Sequence, residues 1–532
     1  MHLLPELLAT FRRCEPPRIT VTGYIIVLLT AVALLPTLLV EIPAMLDYPN
    51  HLARMHLLAD RGTPNENPYY EISFAFYPNL AMDLIVPQLA KIMSVQNAGW
   101  LFFLLAQLLV LTGAIALEVA RKHRHEFSAF AALLCLHSMP FSLGLVNFEF
   151  GLGVALWGLA AWIAFEFRKW YLRFAVHSLF VSALFVSHFF ALGVYGLTLG
   201  LYEIALLWRH RWKLDAAVVN FSIIATPVLV LLVILYAIGG ALGGTENEWV
   251  LKWKLVWVAF FLNGYNVALS VGSITALTVV LGYLVFRRCL QVLPMGYWIG
   301  FGFLIVYIAM PFKLFDSRMA DIRLVAAAFL VWPAFLTIRQ GNPANVAGFV
   351  VSALIVLNAS YAAQVWLSYR SQYAAMKASF ALIPPASFIL VGNSRSEGSA
   401  TLLTDAPMYR APVLAVHYAK AFVSSLYTIA GTVPVEVRPD LKHLDVSAVT
   451  ESYIPPTLTT LRALARGQHV VDAPGYLRNW TRDFEFLYLV GPRVDSALPD
   501  VLDELAGDDR FTLYAVRRPP VPTNASNAAG LP

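Results

Sequence analysis

Asp47, His51 and Arg54 fall within LDYPNHLAR, part of the stretch Glu41 to Asp60 that directly follows an uncharged apolar run. Pro49 suits the first turn of a helix, where its missing N–H costs nothing, so the spacing predicts a helix that begins at Tyr48 or Pro49. Offsets of four and seven residues return to one side at 3.6 residues per turn, which puts all three side chains on or near one face. A carboxylate there can take a proton from an acceptor hydroxyl, and a nearby cation can neutralise a phosphate leaving group. The competing reading makes Asp47 an N-cap that satisfies helix amides and leaves His51 and Arg54 solvated. The one cofactor these residues suggest is a divalent cation on Asp47 and His51; no third ligand is evident, so no metal site is assigned.

The elements that must position these residues are membrane helices. The 532-residue chain is 58% hydrophobic and 13% charged, outside the balance of soluble domains. Uncharged runs at Ile19 to Val40, Phe127 to Phe148, Ala216 to Thr245, Leu255 to Phe286 and Gln340 to Tyr369 each reach the roughly 20 residues that span a bilayer as helix. They lack the two-residue alternation of a barrel. The first run ends in Glu41-Ile42-Pro43 without a small-residue cleavage pattern and reads as a retained signal anchor. Cys14, Cys135 and Cys289 fit no metal spacing and no disulfide framework. The net charge of +5 comes from basic clusters at span ends rather than from a tract that would grip nucleic acid.

Placing those clusters inside, as basic loops require, fixes a topology with a cytoplasmic N-terminus. The expected spans are residues 20–41, 97–118, 127–146, 150–167, 174–188, 190–207, 216–239, 265–286, 294–312, 323–338 and 345–367, so the carboxyl end lies outside. The fifth and sixth turn near Ser187-His188, or else this segment forms a re-entrant hairpin. The outer side then collects the loop 41–96, with an interfacial helix over Asn79 to Met93 that includes Asp83, and also Asn147, Glu149, His188, Asp316, Arg318, Asp321 and Arg323. The domains that follow are a membrane unit over 1–367, an outer α/β domain over 368–518 and a disordered tail over 519–532. The last α/β unit is read as strand Phe484 to Val490, helix Ala497 to Leu505 and strand Phe511 to Val516.

These outer residues divide into site and scaffold readings. Asp316, Arg318, Asp321 and Arg323 either pair with one another or supply a guanidinium fork for a phosphate. His188 is either a packing residue or faces a cavity, because ionisable groups at membrane depth are costly. Asn147 and Glu149 lead into Gly151-Leu152-Gly153, which could admit close packing between spans, and Glu149 could cap its own helix. Lys252 and Lys254, beside tryptophans, read as interface anchors. No Walker loop, Rossmann glycine fingerprint or HExxH is present, which argues for a donor presented as a lipid.

Asp47 in LDYPNHLAR, Arg54 on the helix after it, a first span, a long outer loop with interfacial helices, many further spans and an outer soluble domain together resemble the GT-C class of membrane glycosyltransferases. That class uses polyprenyl-phosphate sugars. The resemblance implies a polytopic α-helical fold with Asp47 at the position of the catalytic acidic residue; many members carry two adjacent acidic residues there, whereas Tyr48 follows Asp47 here. It implies transfer of a sugar from a polyprenyl-phosphate donor to a glycan, lipid or protein acceptor at the outer face; the lack of a eukaryotic targeting signal and the short basic inner loops suggest a bacterial inner membrane, whose outer face is periplasmic. Asp47 is then the base. His51, Arg54, Asp83, Asn147, Glu149, His188, Asp316, Arg318 and Arg323 are the candidate substrate-binding residues. The alternatives are a transporter or flippase of lipid-linked glycans, and a non-catalytic binding protein of the same fold.

Overall fold

The computed structural model describes residues 21–124, 126–209, 214–238, 247–314, 317–395, 407–429, 431–446, 455–494 and 499–517. Asp316 and the tail 519–532 lie outside them. Helix α1 (Val21–Leu39) leads to a loop carrying α2 (Tyr48–Asp60), strand β1 (Tyr70–Ile72) and α3 (Ala81–Leu89). Next come α4 (Val95–Lys122), α5 (Ser128–Cys135), α6 (Met139–Ser142), α7 (Val146–Ala164), α8 (Trp170–Ser187), α9 (Phe189–Arg209) and α10 (Leu214–Ala237). Then follow α11 (Trp253–Ala259), α12 (Val267–Phe286), β2 (Leu290–Val292), α13 (Pro294–Ala309), β3 (Lys313–Leu314) and β4 (Ser317–Arg318). Helix α14 (Ala320–Val331), strand β5 (Leu336–Ile338) and the long α15 (Asn342–Ser379) complete the helical part.

The C-terminal unit contains β6 (Phe388–Asn393), α16 (Pro407–Arg410), α17 (Ala415–Tyr418), β7 (Phe422–Val423), β8 (Val435–Val437), α18 (Leu458–Ala465) and α19 (Trp480–Asp483). It ends with β9 (Phe486–Val490), β10 (Leu502–Asp508) and β11 (Phe511–Val516). Five strands form one sheet in the order β10-β11-β9-β6-β7, with β6 parallel to both β7 and β9 and the other pairs antiparallel.

Among the described residues, eight helices are long and apolar enough to cross a membrane: α1, α4, α7, α8, α9, α10, α12 and α15. The other three expected spans fall on shorter helices. The run 127–146 breaks between α5 and α6, where Pro140 sits in the first turn of α6 and the chain then turns at Gly144 with φ +87°. Residues 294–312 give the 16-residue α13. The span expected at 323–338 stops at Val331: Pro333 follows, and Leu336, Thr337 and Ile338 pair with Val292, Gln291 and Leu290 as a strand. The turn at Ser187-His188 is present, with α8 ending at Ser187 and α9 starting at Phe189.

Two sequence expectations for the C-terminal unit change, and one pairing is new. Helix α15 passes through position 368 without a break, and the Ser379 hydroxyl meets the Tyr488 hydroxyl of β9 at 2.6 Å, so one helix joins the spans to the sheet. Residues 502–508 form β10 rather than a helix, because this segment pairs along β11 from Leu502↔Val516 to Asp508↔Phe511. Strand β8 leaves the sheet and pairs with β1 of the first loop, Tyr70 opposite Val437 and Ile72 opposite Val435. Asn67 reinforces the join by donating to the Val416 and Ala421 carbonyls at 2.9 and 3.1 Å. A single hydrophobic core therefore runs from Met45, Tyr48 and Leu52 through Tyr369 and Tyr373 to Leu487 and Tyr488.

Small residues set the helix spacing in the spans. A Cβ on Gly153 would lie 2.6 Å from the Leu109 Cβ and 2.8 Å from the Leu109 carbonyl carbon, so α4 and α7 touch backbone to backbone. A Cβ on Gly151 would lie 3.0 Å from the Ala191 Cβ and 3.2 Å from the His188 Cβ, a looser contact against side chains. Replacing Gly153 with Ala is expected to cost about 1–3 kcal/mol by overpacking, read as a lower thermal midpoint of the detergent-solubilised protein. Gly196→Ala, at a position with nothing within 4 Å of the new carbon, is the matched control and leaves the midpoint in place or higher.

Candidate functional site

Helix α2 is anchored at its mouth by backbone. The Asp47 N–H donates to the Leu143 carbonyl at 2.9 Å, and the His51 N–H donates to the Asp47 carbonyl at 3.1 Å. The Gly144 turn packs against this mouth: a Cβ there would sit 3.0 Å from the Tyr48 nitrogen and 3.1 Å from that of Asp47. Asp47 occupies the N-cap position with helical angles, φ −93° and ψ −9°, and its side chain makes no capping hydrogen bond. The capping reading therefore does not describe the carboxylate. Half-buried, it faces the guanidinium groups of Arg410, Arg323 and Arg54. Burial raises the Asp47 carboxyl above its ordinary value, against the opposing pull of these three cations.

Arg54 and Asp83 are locked together. The Arg54 Nε and Nη2 donate to the two Asp83 carboxylate oxygens at 2.5 and 3.1 Å, with both residues at most 3% exposed. Asp83 is thus a partner that orients Arg54, placed by the first turn of α3. The Arg54 Nη2 also meets the His51 Nδ1 at 3.1 Å, and the His51 ring bonds the Gly144 backbone. Burial first, then Arg54, pushes the His51 imidazole down to about 3, so it is neutral at pH 7. A guanidinium on one ring nitrogen and a backbone bond from the ring do not fit a divalent cation shared by Asp47 and His51.

The other sequence candidates separate by contact. Arg323, buried in the first turn of α14, lies near Asp47, with its guanidinium carbon 5.9 Å from the Phe148 and Phe190 rings. Arg318 is exposed and contributes its carbonyl, which accepts from the Arg323 Nη2 at 3.4 Å. Asp321 instead pairs with Lys254 at 3.1 Å, so Lys254 is a buried ion-pair partner. The His188 Nδ1 accepts from the Phe190 N–H at 3.1 Å and its ring packs edge-on against Phe148 at 5.5 Å, beside Arg323. Asn147 uses both ends of its amide: it accepts from the Met82 N–H at 2.9 Å and donates to the Asn79 carbonyl at 2.8 Å, holding the start of α3. Glu149 is buried in α7, and its carboxylate oxygens have no hydrogen-bond partner among the described residues.

Two residues of the site come from the C-terminal unit and were missed by sequence reasoning. Arg410 ends α16, and Tyr427 donates its N–H to the Asn50 Oδ1 of α2 at 3.2 Å while its phenol lies near Asp47, Arg54 and Arg410. No local signal marked either residue; each reaches α2 across more than 350 positions of sequence. An apolar cavity of about 820 Å³ lies apart, lined by Leu29, Leu134, Phe261, Leu277, Phe329 and Val351 among others, and the Asp47 cluster does not line it.

The Arg54–Asp83 pair yields a direct expectation. Asp83→Ala leaves a buried guanidinium without its partner and is expected to cost about 3–5 kcal/mol, measured as a drop in unfolding midpoint.

No family model matches the chain, and no curated protein matches it. Two solved structures are similar to it: the crystal structure of ArnT from Cupriavidus metallidurans bound to undecaprenyl phosphate, at 14% identity and a TM-score of 0.44, and that of the same protein in the apo state, at 12% and 0.46. Each alignment covers 93% of this chain and 98% of the other.

Proposed function

We propose that the chain is a membrane glycosyltransferase that moves a sugar from a polyprenyl-phosphate donor to a hydroxyl acceptor, with Asp47 as general base. The observation that carries this reading is the Asp47 carboxylate, released from capping at the mouth of α2 and facing three guanidinium groups just beyond the first span. Arg323 and Arg410, which face Asp47 beside the Arg54–Asp83 pair, bring guanidinium groups to this mouth, and these suit a phosphate anion.

In this reaction Asp47 takes the proton from the acceptor hydroxyl, and the oxygen attacks the anomeric carbon from the face opposite the phosphate. The bond from that carbon to the phosphate oxygen breaks, the configuration inverts, and the polyprenyl phosphate leaves with the bonding pair. Arg323 and Arg410 stabilise the charge that develops on it. Arg54 and the Gly144 backbone hold the neutral His51 ring beside the carboxylate, where it positions its neighbours and forms part of the wall of the site. A flippase would be expected to place its ionisable residues near the middle of the spans, whereas this cluster gathers on the loop after α1, the start of α14 and the C-terminal unit.

Turnover of polyprenyl-phosphate sugars by purified protein in lipid tests the assignment, with Asp47→Asn beside the wild type. Loss of at least about 100-fold in kcat with an unchanged unfolding midpoint is the expected outcome; full turnover by the variant removes Asp47 from the chemistry.

The pH profile gives a second test. The base must be ionised, and burial raises its pKa, so activity is lost as pH falls through a value above the ordinary carboxylate figure of about 3.9. A kcat/KM profile flat down to that figure contradicts the assignment.

A further inference from the structure

We propose that His56, Asp60 and His417 form a binding site for a divalent transition-metal ion that ties α2 to the C-terminal unit. His56 and Asp60 stand four apart on α2 and so share a face, while His417 comes from α17. One ligand atom from each of the three lies within 4.8 Å of the others. The His417 Nδ1 is 3.2 Å from the Asp60 Oδ2, and the His56 and His417 rings stack with centroids 3.6 Å apart and planes 18° from parallel. This group is separate from the Asp47 cluster and does not depend on the transferase reading.

His56 supplies the second, independent observation. It is 7% exposed, and both of its ring nitrogens are buried without a hydrogen-bond partner. A buried imidazole with two unsatisfied nitrogens is costly, and a metal ion satisfies one of them directly. Lys377 is the opposing charge: its ammonium lies 5.1 Å over the Tyr418 ring next to His417.

Two imidazoles and a carboxylate match the ligand set of zinc and its first-row neighbours rather than that of magnesium or calcium. Bonds of about 2.0–2.2 Å require ligand atoms about 3.3 Å apart. The set must therefore contract, and because the lone pairs of two stacked rings run side by side, the His417 ring must also turn out of the stack; the movable members are the two partly exposed ones, with the side chains of His417 and Asp60 29% and 21% accessible. With three protein ligands, the fourth tetrahedral position falls to water. The ion would cross-link the helix that carries Asp47, His51 and Arg54 to the unit that carries Arg410 and Tyr427, so its consequence is rigidity of the site.

The test uses full-length protein purified in detergent without a histidine tag, stripped with chelator and titrated with Zn²⁺. Bound metal is measured by mass spectrometry and thermal midpoint by scanning fluorimetry. One Zn²⁺ per chain is expected in the wild type and in Asp47→Asn, with a rise in midpoint, and binding at least tenfold weaker in His56→Gln and in His417→Gln. His417 is partly exposed, so its variant carries the test should His56→Gln fail to fold. A wild type that holds no stoichiometric Zn²⁺, or a His417→Gln protein that binds as the wild type does, overturns the proposal.

Discussion

A carboxylate at the mouth of a helix ordinarily spends itself on the first free amides; at the start of α2 that use is withheld. The Asp47 main chain is fixed instead by the Leu143 carbonyl, and the positive φ of Gly144 lets that turn approach closely enough to make the bond. The consequence is a half-buried carboxylate set among Arg54, Arg323 and Arg410 with its charge uncommitted to capping. Everything proposed for the site follows from this one diversion of a common structural role.

The three cations are held by three different parts of the chain. Asn147 of α7 bonds the Met82 amide and the Asn79 carbonyl, which places the first turn of α3 and with it Asp83. Asp83 then fixes Arg54 through two hydrogen bonds. Arg323 is cradled by Phe148 and Phe190, while Arg410 arrives on a unit that is stapled to the first loop by the β1–β8 ladder and by Tyr427 on Asn50. Several residues with the types expected of a binding site thus serve as its scaffold. The distinction is physical: a buried group with all of its hydrogen-bonding capacity used positions its neighbours, and a charged group with capacity left over can meet a ligand.

The sequence made the local parts of this arrangement readable. Pro49 marked the start of α2, the spacing of Asp47, His51 and Arg54 marked a common face, and Gly151 and Gly153 marked close helix contacts. What it did not reveal depends on long-range partners. Arg410 and Tyr427 carry no periodicity that points to α2, and the Arg54–Asp83 pair is visible only once α3 folds back on α2. The segment Leu502 to Asp508 shows the same limit, since its charged residues suit a helix and only its pairing with β11 makes it a strand. The second half of α14 failed for a local reason: Pro333 ends the helix inside an otherwise apolar run.

The most direct measurement of the account is a structure of Asp47→Asn protein in lipid with a polyprenyl-phosphate sugar bound, because that change removes the base while keeping its shape. The donor phosphate is expected against Arg323 and Arg410, with the anomeric carbon turned toward position 47. A headgroup bound away from the mouth of α2 would contradict it.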